Sequence, residues 1–173
     1  MWLKLDLSGI NFEFRILHYV KSTKEKWDDE WCSIGIAYQS GKWLNYVRDS
    51  DDTLLSCEIE TILDNLNDLL DDRLEFSKQI EFIEPEFALI FNPKKDLTKD
   101  ARHIYIAPGY EIEDIDMEWR IFFWNDGLTE NYLSLRFYRE DLMYLQKYLS
   151  LITGKISKRN MDVQKMIENG VLY

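Results

Sequence analysis

The residues best suited to catalysis or metal binding are few, and none is arranged for it. The two histidines, His18 and His103, each lack a second ligand at metal spacing. Cys32 alternates with apolar residues and Cys57 opens an apolar stripe; nothing beside either would lower a thiol pKa. No GxSxG elbow or HExxH helix is present, and the seven glycines never fall two or three apart, which excludes a phosphate-cradling loop. Asp49, Asp51, Thr53 and Glu60 stand at positions 1, 3, 5 and 12 of a calcium-loop count, but Leu54 occupies position 6, where the turn needs Gly. A charged loop capping the next element accounts for these residues. Carboxylate pairs for hydrolysis exist in number among 32 acids, yet their separation is spatial and the sequence selects none. No enzyme, cofactor or metal site is read from these residues, and a carboxylate hydrolase is left unsupported rather than refuted.

What the acids do form is clusters. Asp28, Asp29 and Glu30 lie between Trp27 and Trp31. Glu111, Glu113, Asp114, Asp116 and Glu118 alternate with Ile112, Ile115 and Met117. Asp64, Asp68, Asp71 and Asp72 share the polar face of a predicted helix. A solvated loop and the outer face of an edge strand explain such acids without any partner. A recognition surface explains them too: like charges repel in the free protein, and a basic partner relieves that repulsion and is steered in by it. Asp28, Asp29, Glu30, Glu111, Glu113, Asp114 and Asp116 are the expected contacts, with Asp64, Asp68, Asp71 and Asp72 as the alternative face.

Elements of ordinary kinds must position these clusters. The alternation over residues 11–19 sets Phe12, Phe14 and Ile16 on one face, the period of a half-buried strand. Residues 32–38 repeat it, and Ser40-Gly41 turns into Trp43, Leu44, Tyr46 and Val47 as a hairpin. Leu3, Leu5 and Leu7 give a short first strand. Ile59, Ile62, Leu63, Leu66, Leu69 and Leu70 then mark an amphipathic helix with Ser56 as its expected N-cap. Strands are predicted again over 79–84, 87–91, 103–107, 117–124 and 132–138, separated by Pro85, Pro93, Pro108 and Asp126-Gly127, with 92–102 as a solvated hairpin loop. A second helix begins near Glu140 and stops at Gly154. Strands in series without βαβ interleaving predict an α+β fold: an antiparallel sheet or sandwich of about eight to ten strands, with two main helices on one side or edge.

The 173 residues, 46% hydrophobic, suit one globular domain over 1–154 and a basic helical tail over 155–173 that is short or mobile. The net charge of −11 divides into −13 for the domain and +2 for the tail. It disfavours nucleic acid and anionic membrane as direct partners, since phosphate repels such a surface. The longest wholly apolar run is residues 87–91, and no secretory h-region opens the chain, so a cytoplasmic protein is expected.

Four segments in order resemble one family. Phe12-Glu13-Phe14-Arg15-Ile16-Leu17-His18-Tyr19 resembles an FxFRIxGY strand, with His18 at the Gly. Trp27-Asp28-Asp29-Glu30-Trp31 resembles WDxNW, with Glu30 at the Asn. Leu54-Leu55-Ser56-Cys57-Glu58-Ile59 resembles LLTxEL, and Phe82-Ile83-Glu84-Pro85-Glu86-Phe87 resembles FxEPxL. These are the patterns of the WapI family of bacterial immunity proteins, and they cover roughly residues 1–92. The resemblance implies a small, non-catalytic cytosolic protein of bacterial competition that binds and neutralises the C-terminal domain, often a nuclease, of a cognate polymorphic toxin. It carries over no contact residues. The alternative function is that of an acidic scaffold or subunit binding another protein.

Overall fold

The computed structural model describes residues 1–21, 30–102, 104–124 and 126–173. Its strands, in chain order, are β1 (Leu3–Asp6), β2 (Asn11–Leu17), β3 (Trp31–Ser40), β4 (Leu44–Leu55), β5 (Lys78–Glu81), β6 (Phe87–Asn92), β7 (Lys95–Asp96), β8 (Ile112–Glu113), β9 (Asp116–Trp124) and β10 (Leu128–Tyr138). The helices are α1 (Ser56–Leu70), α2 (Arg139–Ile152) and α3 (Met161–Glu168). The fold is α+β, with every pairing antiparallel.

One sheet runs β1-β2-β3-β4 and the other β10-β9-β6-β5; β7 and β8 pair by themselves. Alternation dictates which side chains point inward. Phe12, Phe14 and Ile16 of β2 are buried, as are Met117, Trp119 and Ile121 of β9. The two inner faces meet ring to ring. Phe12 lies 5.3 Å from Trp119 and 5.1 Å from Phe137, and Phe14 lies 5.3 Å from Trp119. Burying each such ring stabilises the fold by on the order of 2–3 kcal/mol, which makes this cluster the centre of the core.

The helices pack their apolar stripes onto that core. Ile59, Ile62, Leu63, Leu66 and Leu69 of α1 are buried, as are Leu142, Leu145, Tyr148 and Leu149 of α2. The Tyr148 hydroxyl accepts the Ile16 N–H at 2.8 Å, fixing α2 to β2. Gln146 donates to Asn67 at 2.9 Å across α1 and α2.

Helix α1 begins one residue earlier than a Ser56 cap would have it. Ser56 is its first residue, with its hydroxyl turned to the Glu30 carbonyl (3.3 Å) and Cys32 Sγ (3.4 Å). The open amide at the helix start is satisfied instead by Glu58, whose carboxylate accepts the Leu55 N–H at 2.9 Å.

The acidic run from Asp49 to Thr53 forms the second half of β4. Two register shifts against β3 accommodate it. Arg15 pairs with Asp49, and the Ser33 hydroxyl donates to Asp52.

Residues 104–107 pair with no strand. They lie between β7 and β8, outside both four-stranded sheets. Strand β9 is internal, between β10 and β6, so an edge strand does not account for its acids Asp116 and Glu118.

The last residues fold back onto the first. Asn160 caps α3, accepting the Asp162 and Val163 N–H groups. Val163, Met166 and Leu172 are buried, Leu172 bridges to Leu3, and the Lys4 N–H donates to the Val171 carbonyl at 2.8 Å. The chain end thus covers the free edge of β1, which would otherwise present open amides.

Candidate functional site: a carboxylate surface

Of the acids expected to mark a surface, Asp28 and Asp29 lie outside the described residues. Glu30 is exposed, just ahead of β3, and its carbonyl accepts the Ser56 N–H at 3.1 Å. That bond ties the start of β3 to the start of α1.

The face of α1 and the segment before β9 were expected as alternatives, and the structure joins them. Arg139, the first residue of α2, makes a two-point contact with Asp114, Nε to Oδ2 at 2.9 Å and Nη2 to Oδ1 at 2.8 Å. The same Nη2 lies 3.5 Å from Asp72 at the end of α1. Lys94 completes the cluster with a 2.8 Å contact to Asp72. A cation at a helix N-terminus opposes the helix dipole, so the local sequence does not account for Arg139; the flanking carboxylates do. Its guanidinium holds the Asp114 carboxyl down at about 2, with the Asp114 hydrogen bond as the main cause. The Lys94 hydrogen bond and then the nearby cations hold Asp72 below the usual carboxylate range.

The backbone helps place these acids. Asp72 has φ +56° and follows a helix end in which the Arg73 N–H reaches the Asp68 carbonyl at 2.8 Å and the Asp72 N–H reaches that of Leu69 at 3.2 Å. Asp68 and Asp71 both pair with Arg73. Asp64 stands further back on the helix, 3.4 Å from Lys155.

Asp116 does not belong to this surface. It is buried on β9, where its Oδ1 accepts from Asn92 at 2.7 Å and Arg136 stands 3.7 Å from Oδ2. Desolvation pushes its carboxyl above the ordinary value. The expectation that it faces a partner is corrected on this ground. Glu111 and Glu113 are exposed, and neither has a cationic partner among the described residues.

The segment between β7 and β8 is an arm: 97–102 lie in the expected loop, while 104–107, expected as part of a strand, are irregular, and His103 lies outside the described residues. The arm exposes Ile104, Tyr105 and Tyr110, and Ile112 of β8 is exposed at its base. The signal for its shape was Pro108-Gly109. Gly109 has φ +91° and the Tyr110 N–H donates to the Ala107 carbonyl at 3.0 Å, as in a type II turn.

Of the residues capable of covalent or metal chemistry, His103 lies outside the described residues. Cys32 is buried beside Ser56, Cys57 is half-buried, and His18 is exposed at the end of β2. Among the described residues, no three His, Cys, Asp or Glu side chains are placed to hold a metal ion. A groove of about 540 Å³ opens between the three helices, bordered by Asp71 and Arg139 and crossed by a 3.1 Å contact of Lys147 with Asp162. Among the described residues, no helix is long and apolar enough to cross a membrane.

The class defined by these features is an α+β protein whose two sheets enclose an aromatic core and whose surface carries a carboxylate ridge. The chain belongs to the immunity protein WapI-like family, whose model matches residues 3–155. A search of curated proteins finds no match.

Proposed function

We propose that this chain is a non-catalytic immunity protein that binds and neutralises the C-terminal toxic domain of a cognate polymorphic toxin in the cytoplasm of the producing cell. The observation that carries this reading is the family match over residues 3–155. The charge supports it: −13 over residues 1–154 suits a basic target, and nucleases that grip phosphate are basic. An acidic surface can occupy such a phosphate-binding cleft and exclude the substrate.

The contacts proposed are Glu111, Glu113 and Asp114 together with Asp68, Asp71 and Asp72; Arg139 joins Asp114 to Asp72. Asp64 flanks these, and Asp28, Asp29 and Glu30 are proposed as a second patch. Contacts of this kind act mainly by speeding and orienting association.

The test is co-expression of this chain with the C-terminal domain of the toxin encoded beside it. Restored growth, together with a complex that survives gel filtration of the purified pair, is the expected result. Continued toxicity with both proteins present and no complex would overturn the reading.

A further inference from the structure

We propose that the arm between β7 and β8 is the apolar anchor of the toxin-binding surface. Ile104, Tyr105, Tyr110 and Ile112 seat in an apolar depression of the toxin domain whose rim carries lysine or arginine. The proposal rests on the immunity reading above and names the part of the surface that holds the partner once charge has brought it in.

Exposure is the first argument. Ile104 is fully exposed, and Tyr105, Tyr110 and Ile112 are 79%, 72% and 58% exposed. Four large apolar side chains within nine residues of solvent-facing chain are unusual in a protein that has no partner for them. Aromatic side chains at the centre of a contact, ringed by polar groups, are the usual source of binding energy in protein interfaces.

The arm is also built to hold its shape. The β7–β8 ladder closes its base through Lys95 opposite Glu113 and Asp96 opposite Ile112. Leu97 N–H donates to the Glu111 carbonyl at 2.8 Å, extending that closure. Asp100 sits inside the arm and takes Lys95 at 2.7 Å and Arg102 at 2.6 Å. The type II turn at Pro108-Gly109 is pinned by the Gly109 N–H donating to Glu111 at 2.9 Å. An arm already ordered loses little entropy on docking.

Charge selects the partner. The arm's cations are taken up internally: Lys95 and Arg102 by Asp100, Lys99 by Asp96, and Lys94 by Asp72. Glu111 and Glu113, on either side of Ile112, have no cationic partner among the described residues. Residues 95–113 hold three cations (Lys95, Lys99, Arg102) against four carboxylates (Asp96, Asp100, Glu111, Glu113), and the two carboxylates without a cation among the described residues flank Ile112, so this side of the arm fits a basic rim. A membrane surface rich in anionic lipid would be repelled by it.

The experiment measures association and dissociation rates of the full chain with an inactivated C-terminal domain of the neighbouring toxin. Tyr105→Ser with Tyr110→Ser is expected to speed dissociation at least tenfold, with the association rate within about twofold of wild type. Tyr105→Phe with Tyr110→Phe keeps the wild-type dissociation rate, because the rings remain. Glu111→Gln with Glu113→Gln slows association several-fold at low salt and leaves dissociation nearly unchanged. All these side chains face solvent, and unchanged thermal melting confirms that each variant is folded.

If wild type forms the complex and the double Ser variant dissociates at the wild-type rate, the anchor proposal fails and the immunity reading stands. If wild type forms no complex, both fail. A concentration-dependent dimer that the double Ser variant abolishes, with toxin binding intact, would assign the arm to a second copy of this chain and also overturn the proposal.

Discussion

His18 closes β2 with φ +57°, a conformation in which a Cβ is crowded against the backbone. The family pattern places Gly at this position, and the dihedral supplies the reason. The His18 side chain is exposed and fills no cavity, so His18→Gly should raise stability by about 0.5–1 kcal/mol, the relieved strain less the added freedom of the unfolded chain. Urea unfolding at neutral pH checks this; a less stable variant would contradict it. Arg139 offers a second test. It holds Asp114 at about 2, below the ordinary carboxylate value near ~3.9. A depressed folded pKa contributes stability that is present above the unfolded value and lost as pH falls through the folded one. The contribution of Asp114 should therefore fade between about pH 4 and pH 2. In Arg139→Gln, NMR titration should find Asp114 back in the ordinary range, with that part of the acid transition gone. Asp116 has the opposite sign: desolvation raises its carboxyl. Wild type should gain on Asp116→Asn as pH falls from neutral through the folded pKa, and a constant difference across that range would exclude the assignment.

At the scale of elements, the long periodic segments were legible in the sequence. Phe12, Phe14 and Ile16 marked β2, and the stripe from Ile59 to Leu70 marked α1, because a period repeated over several residues needs no tertiary context. Short elements were not legible. β7 and β8 hold two residues each and form the base of an arm, while residues 104–107 alternate like a strand but join no sheet. The candidate surface was half legible. The acids could be counted, but that Asp72 and Asp114 meet on Arg139, and that Asp116 is buried, depends on pairings across 67 and 24 residues of chain. Leu172 gives the elements their mutual test. It is buried and bridges to Leu3, so Leu172→Ala should cost about 2–5 kcal/mol by chemical denaturation. A loss under about 0.5 kcal/mol would mean that the C-terminal segment is not part of the cooperative core.

For the whole molecule, the uneven charge sets the kinetics. With −13 over residues 1–154, association with a basic partner should slow steeply from low to physiological salt while dissociation changes little, since screening acts on the approach. An association rate flat across that range would remove the carboxylate ridge as the steering element. The central claim is that this member of the WapI-like family captures a toxin domain, and direct titration tests it most plainly. The account predicts that the purified chain and the inactivated C-terminal domain of the neighbouring toxin form a saturable complex at physiological salt, with a Kd of about 1 μM or tighter. No binding at concentrations about tenfold above that would contradict it.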